Sequence, residues 1–313
     1  MARTPRLRQP CSRRDAAVSC VTPLVAGILV GSMQLQQDNL IQMPGAPVPP
    51  RRQPQRALGM RTARTIFALL LREMSMSNGR TILGYLWEIV EPVVGILVLM
   101  FIFSLIMRSP AIGNNFALFY ASGLLPFFMF TDISTKVAIA VRSARPLLTY
   151  PGVTYIDVIA ARFLLASMTK LIIYSIVMMG ILLIYDINPL FKYDYLLLGL
   201  CMALLMGLSV GVLNCTLFHF FPIWDRVWSL ISRPLLILSG VIILPESVPL
   251  PYREWLSWNP LVHIIATVRM GIYATYQPGY VSVVYVLGIC AILLPTALFL
   301  MRRYWRMLID TTA

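Results

Sequence analysis

Long uncharged runs alternate with short charged intervals along most of the chain. Pro92–Met107 contributes 16 uncharged residues and Ala111–Thr131 contributes 21. Phe163–Tyr185 adds 23 residues, with Lys170 as its single charge. Tyr195–Trp224 gives 30, and Ile223–Leu244 gives 22 with Asp225, Arg226 and Arg233 toward one end. Met270–Met301 gives 32, with Pro278–Gly279 marking a break near its start. A hydrocarbon core about 30 Å thick takes about 20 helical residues. Runs this continuous satisfy their backbone in lipid only as helices. The pattern predicts an all-α integral membrane protein with six transmembrane helices, at about 90–107, 112–134, 163–185, 195–219, 223–244 and 281–301.

Three segments do not follow the plain-span pattern. In Arg61–Met74, Phe67, Leu70, Leu71 and Met74 recur at helical spacing, while Arg61, Thr65 and Arg72 fall on the other side. A basic amphipathic helix before a first span lies in the interface plane, and 61–80 is read so, with a soluble helix against a partner as the alternative. Arg142–Asp157 carries Arg145-Pro146-Leu147-Leu148 and then a Pro151–Gly152 turn signal. Pro146 suits the first turn of a short helix, either a docking element or an ordinary connector. Pro245–Arg269 is broken by Pro245, Pro249, Pro251 and Pro260 and carries Tyr252, Trp255 and Trp258. It reads as a re-entrant pair of half-helices covered by protein, or as an interfacial aromatic belt.

Composition agrees with the pattern. Apolar residues make up 58% of the 313 and charged residues 12%, about half the charged share of a soluble domain. Disorder is excluded for most of the chain, because disorder needs low hydrophobicity. Five scattered cysteines exclude a disulfide scaffold. No C-x-x-C occurs, and two histidines, His219 and His263, leave little room for a metal site. The net charge of +13 would suggest nucleic acid on a soluble chain, but here basic residues gather in loops beside spans. With the N-terminus inside, the inner loops hold eleven Lys and Arg, among them Arg61, Arg80, Lys136, Arg226 and Arg302. The outer loops hold four: Arg108, Lys192, Arg253 and Arg269. That asymmetry predicts N-in, C-in topology.

Residues 1–60 differ from the rest. Positions 42–56 are rich in Pro and Arg, and the apolar Ala16–Val30 is too short to span. The segment reads as a basic, Pro-rich extension, disordered or over-called at its start, with 61–313 as the membrane domain. Small residues in the fourth span, Gly199, Gly207 and Gly211, would allow close helix approach.

Catalytic motifs are missing. None of the three lysines, Lys136, Lys170 and Lys192, follows a glycine, so the chain has no P-loop of its own. A secondary transporter predicts an internal repeat and a midplane acid, and a glycan-modifying enzyme predicts clustered catalytic groups. Glu88, Glu91 and Asp132 lie only toward the ends of spans one and two, and Glu91 reads first as a snorkelling end residue.

Leu71-Arg72-Glu73, Gly79, Leu83-Gly84-Tyr85-Leu86-Trp87 and Glu91-Pro92 together resemble the opening of the ABC-2 superfamily permeases for polysaccharide export, above all the capsule exporters. Gly123-Leu124-Leu125-Pro126-Phe127-Phe128, Tyr155-Ile156-Asp157-Val158-Ile159-Ala160-Ala161-Arg162 and Arg233–Pro234 continue the resemblance. Trp258-Asn259-Pro260-Leu261-Val262-His263 with Arg269 is its most specific part, and the whole covers 61–301. Ser75-Met76-Ser77-Asn78 departs from the basic stretch such permeases often carry there.

The resemblance implies an inner-membrane, multi-pass permease that is not itself an enzyme. Two copies would form a channel driven by two copies of a separate ATPase, which would bind ATP and Mg. The cargo would be a capsular-type polysaccharide; O-antigen, teichoic acid or a drug are the alternatives. Periplasmic and outer-membrane export components would be further partners. Coupling to the ATPase would fall to Arg142, Arg145, Pro146, Leu147, Leu148, Tyr155, Asp157 and Arg162. The entrance and channel would involve Arg72, Glu73, Tyr85, Trp87, Glu91, Tyr120, Phe127 and Phe128. The outer gate would take Trp255, Trp258, Asn259, Pro260, His263 and Arg269. Aromatic faces suit sugar rings because they are apolar yet carry a polar edge.

Overall fold

The computed structural model describes residues 66–71, 82–106, 108–148, 153–187 and 190–310, all within one compact unit, Ala57–Ala313. Of the expected interfacial helix, 66–71 are helical and the remainder lies outside the described residues, as does the whole 1–60 extension. Among the described residues there is no strand.

The chain runs through α1 (Ile82–Ile106), α2 (Phe116–Ala138), α3 (Tyr155–Ile184), α4 (Tyr193–Phe220) and α5 (Trp224–Leu238). A 3₁₀ turn at Pro245–Ser247 follows, then α6 (Tyr252–Ser257), α7 (Pro260–Ile272) and α8 (Val283–Asp310). Two short helical turns, Ala140–Ser143 and Arg145–Leu148, join α2 to α3. Helix starts are marked by local chemistry. The Asn115 side chain accepts from the amides of Ala117 and Leu118 at the head of α2. At α3, Thr154 and Asp157 form a reciprocal capping box. At α7, Asn259 caps and Pro260 occupies the first turn, where its missing N–H costs nothing.

Five helices, α1, α2, α3, α4 and α8, are long and apolar enough to cross a bilayer. The expected fifth span is shorter than 223–244. Helix α5 has 15 residues, about 22 Å at 1.5 Å per residue, against a core of about 30 Å. It ends at Leu238, and Gly240 turns the chain at φ +78°, a conformation that suits glycine. Val241-Ile242-Ile243-Leu244 prolongs the apolar run but lies beyond that turn, with Val241 and Leu244 buried against the core.

The centre of the bundle is α2 packed on α4, with α7 laid against both. Between helices in lipid the attraction comes from close van der Waals packing, since lipid is as apolar as leucine. Helix α4 meets this need with small residues every fourth position: Gly199, Ala203, Gly207 and Gly211. A Cβ at Gly207 would stand 3.1 Å from Ile133, and one at Gly211 2.8 Å from Val137, both on α2. At Gly199 it would meet the Val268 backbone of α7. The close approach read from these glycines is therefore made inside the protomer. By contrast, α1 exposes Leu86, Trp87, Val94, Leu97 and Val98, and α5 buries no residue.

Candidate functional site

The segment joining α2 to α3 holds the expected coupling residues. Pro146 is exposed in its short helix, and Leu148 is half-buried against the core; the side chains of Arg145 and Leu147 lie outside the described residues. Arg142 is exposed and reaches Asp225 at 3.7 Å, a surface pair contributing at most about 1 kcal/mol. The Arg162 guanidinium donates to Ser143 Oγ at 2.9 Å, which ties the start of α3 back to the connecting turn. Tyr155 is partly buried in the first turn of α3. Asp157, expected at the surface with the others, is buried, and its carboxylate accepts from Thr154 Oγ1 at 2.7 Å and the Thr154 amide at 3.0 Å. Its role in this structure is to cap α3.

The expected entrance and channel residues separate. Arg72 and Glu73 lie outside the described residues, as does the Tyr85 side chain on α1. Trp87 and Glu91, one turn apart on α1, are both exposed. Tyr120 and Phe127 do not line an open surface. They are fully buried within the protomer, Tyr120 in an aromatic cluster with Phe103, Phe116 and Phe119. Phe128 is half-buried beside Phe127. Helix α2 is covered on nearly every side, so an aromatic there packs rather than faces a passage.

Between α1, α2 and α3 lies a charge cluster that the sequence reading passed over. Lys170, midway along α3 and 7% exposed, pairs with Asp132 of α2 and stands 3.9 Å from Glu88 Oε2 of α1. Glu88 Oε1 accepts from Lys136 Nζ at 2.7 Å. Two lysines thus meet two carboxylates, and the cluster is neutral. The available signal was Lys170 itself, the one charge in its uncharged run, since an ionisable group at membrane depth must find a partner.

At the other end of the bundle the expected outer gate also divides. Trp255 and Trp258 are exposed, whereas Asn259, His263 and Arg269 act as internal ties. Asn259 Nδ2 donates to the Leu238 carbonyl at 3.1 Å and so joins α7 to the end of α5. His263 bridges the Ser257 carbonyl, 2.7 Å from Nε2, and the Ser282 amide, 3.2 Å from Nδ1. That pair of contacts fits the neutral ring with its proton on Nε2. Arg269, read as an outer-loop charge, is instead 1% exposed. Its guanidinium donates to the carbonyls of Gly240 and Val241 at 2.8 and 2.9 Å and lies 4.4 Å above the Phe119 ring. Among the described residues no carboxylate reaches it within ion-pair distance. Arg269 thereby holds the turn after α5 to α7 and α2. In the loop before α8, Tyr276 donates to Glu246 Oε1 at 2.8 Å. Burial pushes the Tyr276 and Tyr280 hydroxyls up, Tyr280 to about 12, so both keep their protons. The re-entrant and belt readings each describe half of this region: α7 is enclosed by protein, and the two tryptophans are open.

Residues 64–273 match the ABC-2 type transporter family. The polysialic acid transport protein KpsM of Escherichia coli is 31% identical over 218 residues, covering 70% of this chain and 83% of that protein. The capsule polysaccharide export inner-membrane protein CtrC of Neisseria meningitidis is 27% identical over 242 residues, 77% of this chain and 91% of its own. The O-antigen export system permease protein RfbA of Klebsiella pneumoniae is 21% identical over 243 residues, 74% and 90% of the two chains. With this match, and with five helices fit to cross a bilayer, the chain is a multi-pass membrane protein that belongs to the ABC-2 type transporter family.

Proposed function

We propose that this chain is the permease of an ATP-driven exporter that moves a capsular-type polysaccharide outward across the inner membrane. The observation that carries the proposal is the 31% identity to the polysialic acid transport protein over most of both chains. The absence of a P-loop agrees with a subunit that draws its energy from a separate ATPase dimer, where ATP and Mg would sit. The lower likeness to an O-antigen permease supports O-antigen as a second cargo.

Helix α5 and the enclosed α6–α7 region together act as the sixth crossing, with the N- and C-termini inside. The short helix Arg145–Leu148, presented between α2 and α3, docks on the ATPase. Closure of the ATPase dimer pushes that segment, and the Arg162–Ser143 tie passes the movement to α3. Two copies enclose the passage between their sparsely covered helices α1 and α5. Tyr85 and Trp87 meet sugar rings on entry, and Trp255 and Trp258 meet them at the exit. Many weak contacts suit a long polymer, because one tight site would not release it. Periplasmic and outer-membrane components receive the polymer.

Inside-out membrane vesicles test the assignment. With ATP they should take up labelled host capsule polymer and shield it from a glycosidase. Equal shielding without ATP, or from vesicles lacking this chain, would refute the proposal.

A further inference from the structure

Two charges on the least covered helices have no partner within the chain. Glu91 on α1 and Arg233 on α5 are both exposed, and among the described residues neither has an opposite charge within 4 Å. Each stands in an otherwise apolar exposed row. On α1 the row runs Trp87, Glu91, Val94 and Val98; on α5 it runs Leu230, Arg233 and Ile237. A charge turned toward hydrocarbon is costly, so such rows call for protein or water opposite them.

Contacts within the protomer set the height of each charge. The Lys136–Glu88 pair levels Glu88 with Lys136 on α2, and the Arg142–Asp225 pair levels Asp225 with Arg142. Six residues separate Lys136 from Arg142, about 9 Å of helical rise. Both α1 and α5 run opposite to α2, as the short connections require. From Glu88 to Glu91 the rise is about 4.5 Å, and from Asp225 to Arg233 about 12 Å. Glu91 therefore stands about 4.5 Å above the Lys136 level and Arg233 about 3 Å above it. The two charges are opposite in sign and match in height to within a side-chain length.

We infer that a second copy of this chain covers these rows, with Glu91 of each copy paired to Arg233 of the other. A two-fold axis makes the two pairs equivalent, as in isologous dimers. The apolar neighbours Val94 and Val98 then lie along Ile237 and Leu230, and no charge is left facing lipid. The inference rests on the two-copy reading above.

The test uses the full chain with its five cysteines replaced by alanine, carrying E91C and R233C together, in host membranes with its ATPase. A short bis-maleimide should join the double variant into a covalent dimer and leave each single variant monomeric. The size of the uncross-linked protein is read separately by light scattering of the solubilised complex. A dimer without cross-linking overturns the pairing and leaves the two-copy reading intact; a single copy overturns both. As a second readout, E91R or R233E alone should lower surface polymer about tenfold, and the two together should restore it to within about threefold. A double variant no better than either single one overturns the pairing. Loss of anionic polymer alone in R233Q, with the dimer uncross-linked, would assign the α5 row to the passage wall instead.

Discussion

Replacing Lys170 by methionine removes one of two cations from the cluster that joins α1, α2 and α3. Asp132 then has no cation, and Glu88 keeps Lys136 alone. Breaking a fully buried ion pair costs about 3–5 kcal/mol. Here the Asp132 and Glu88 side chains are 30% and 29% exposed, so water replaces part of the lost attraction. The expected cost is about 1–3 kcal/mol. In a chain of this size that lowers the midpoint of thermal unfolding by roughly 2–6 °C. The companion variant D132N, with Lys170 kept, leaves an excess cation and should cost a similar amount. The double variant K170M/D132N is neutral again around the Glu88–Lys136 pair, and its cost should fall well short of the sum. Thermal unfolding of the four proteins in one detergent completes the cycle. A coupling of about 1–3 kcal/mol is expected, and additivity to within about 0.5 kcal/mol would refute a functioning cluster.

G211A places a methyl group 2.8 Å from Val137 Cβ and 3.0 Å from the Ser134 carbonyl, so α2 and α4 must part; a cost of about 1–3 kcal/mol should appear as a lowered unfolding midpoint. R269M leaves the buried Gly240 and Val241 carbonyls without donors, at about 1–3 kcal/mol each before the relief of desolvating a charge. Limited proteolysis after α5 should quicken in that variant. L147D/L148D should leave ATP hydrolysis running while surface polymer falls, and normal export would remove the coupling role from Arg145–Leu148.

Much of the membrane architecture was legible in the run of uncharged residues. The starts and ends of α2, α3, α4 and α8 follow from it, as does the broken region before α8. Hydropathy reports how apolar a segment is but not which way it turns. The fifth span was therefore read through Leu244, although Gly240 had already bent the chain away. Nor does it report which face is covered. Tyr120 and Phe127 resemble channel aromatics in sequence, but α2 is central and they pack inside. Charges were misplaced for a related reason. Asp157 was read as surface chemistry until Thr154 at N-cap spacing took it as a cap, and Arg269 as a loop charge until the turn at Gly240 brought carbonyls to it. The partner of Lys170 lies on another helix, 38 residues away in sequence, beyond the reach of any local pattern.

The most direct test of the account is the fate of the long-chain polysaccharide when this gene is deleted from its host, with the wild-type chain restored as control. Polymer should accumulate in the cytoplasm while the surface becomes bare, and restoring the chain should reverse both. Unchanged surface polymer with no internal pool would contradict the proposed export.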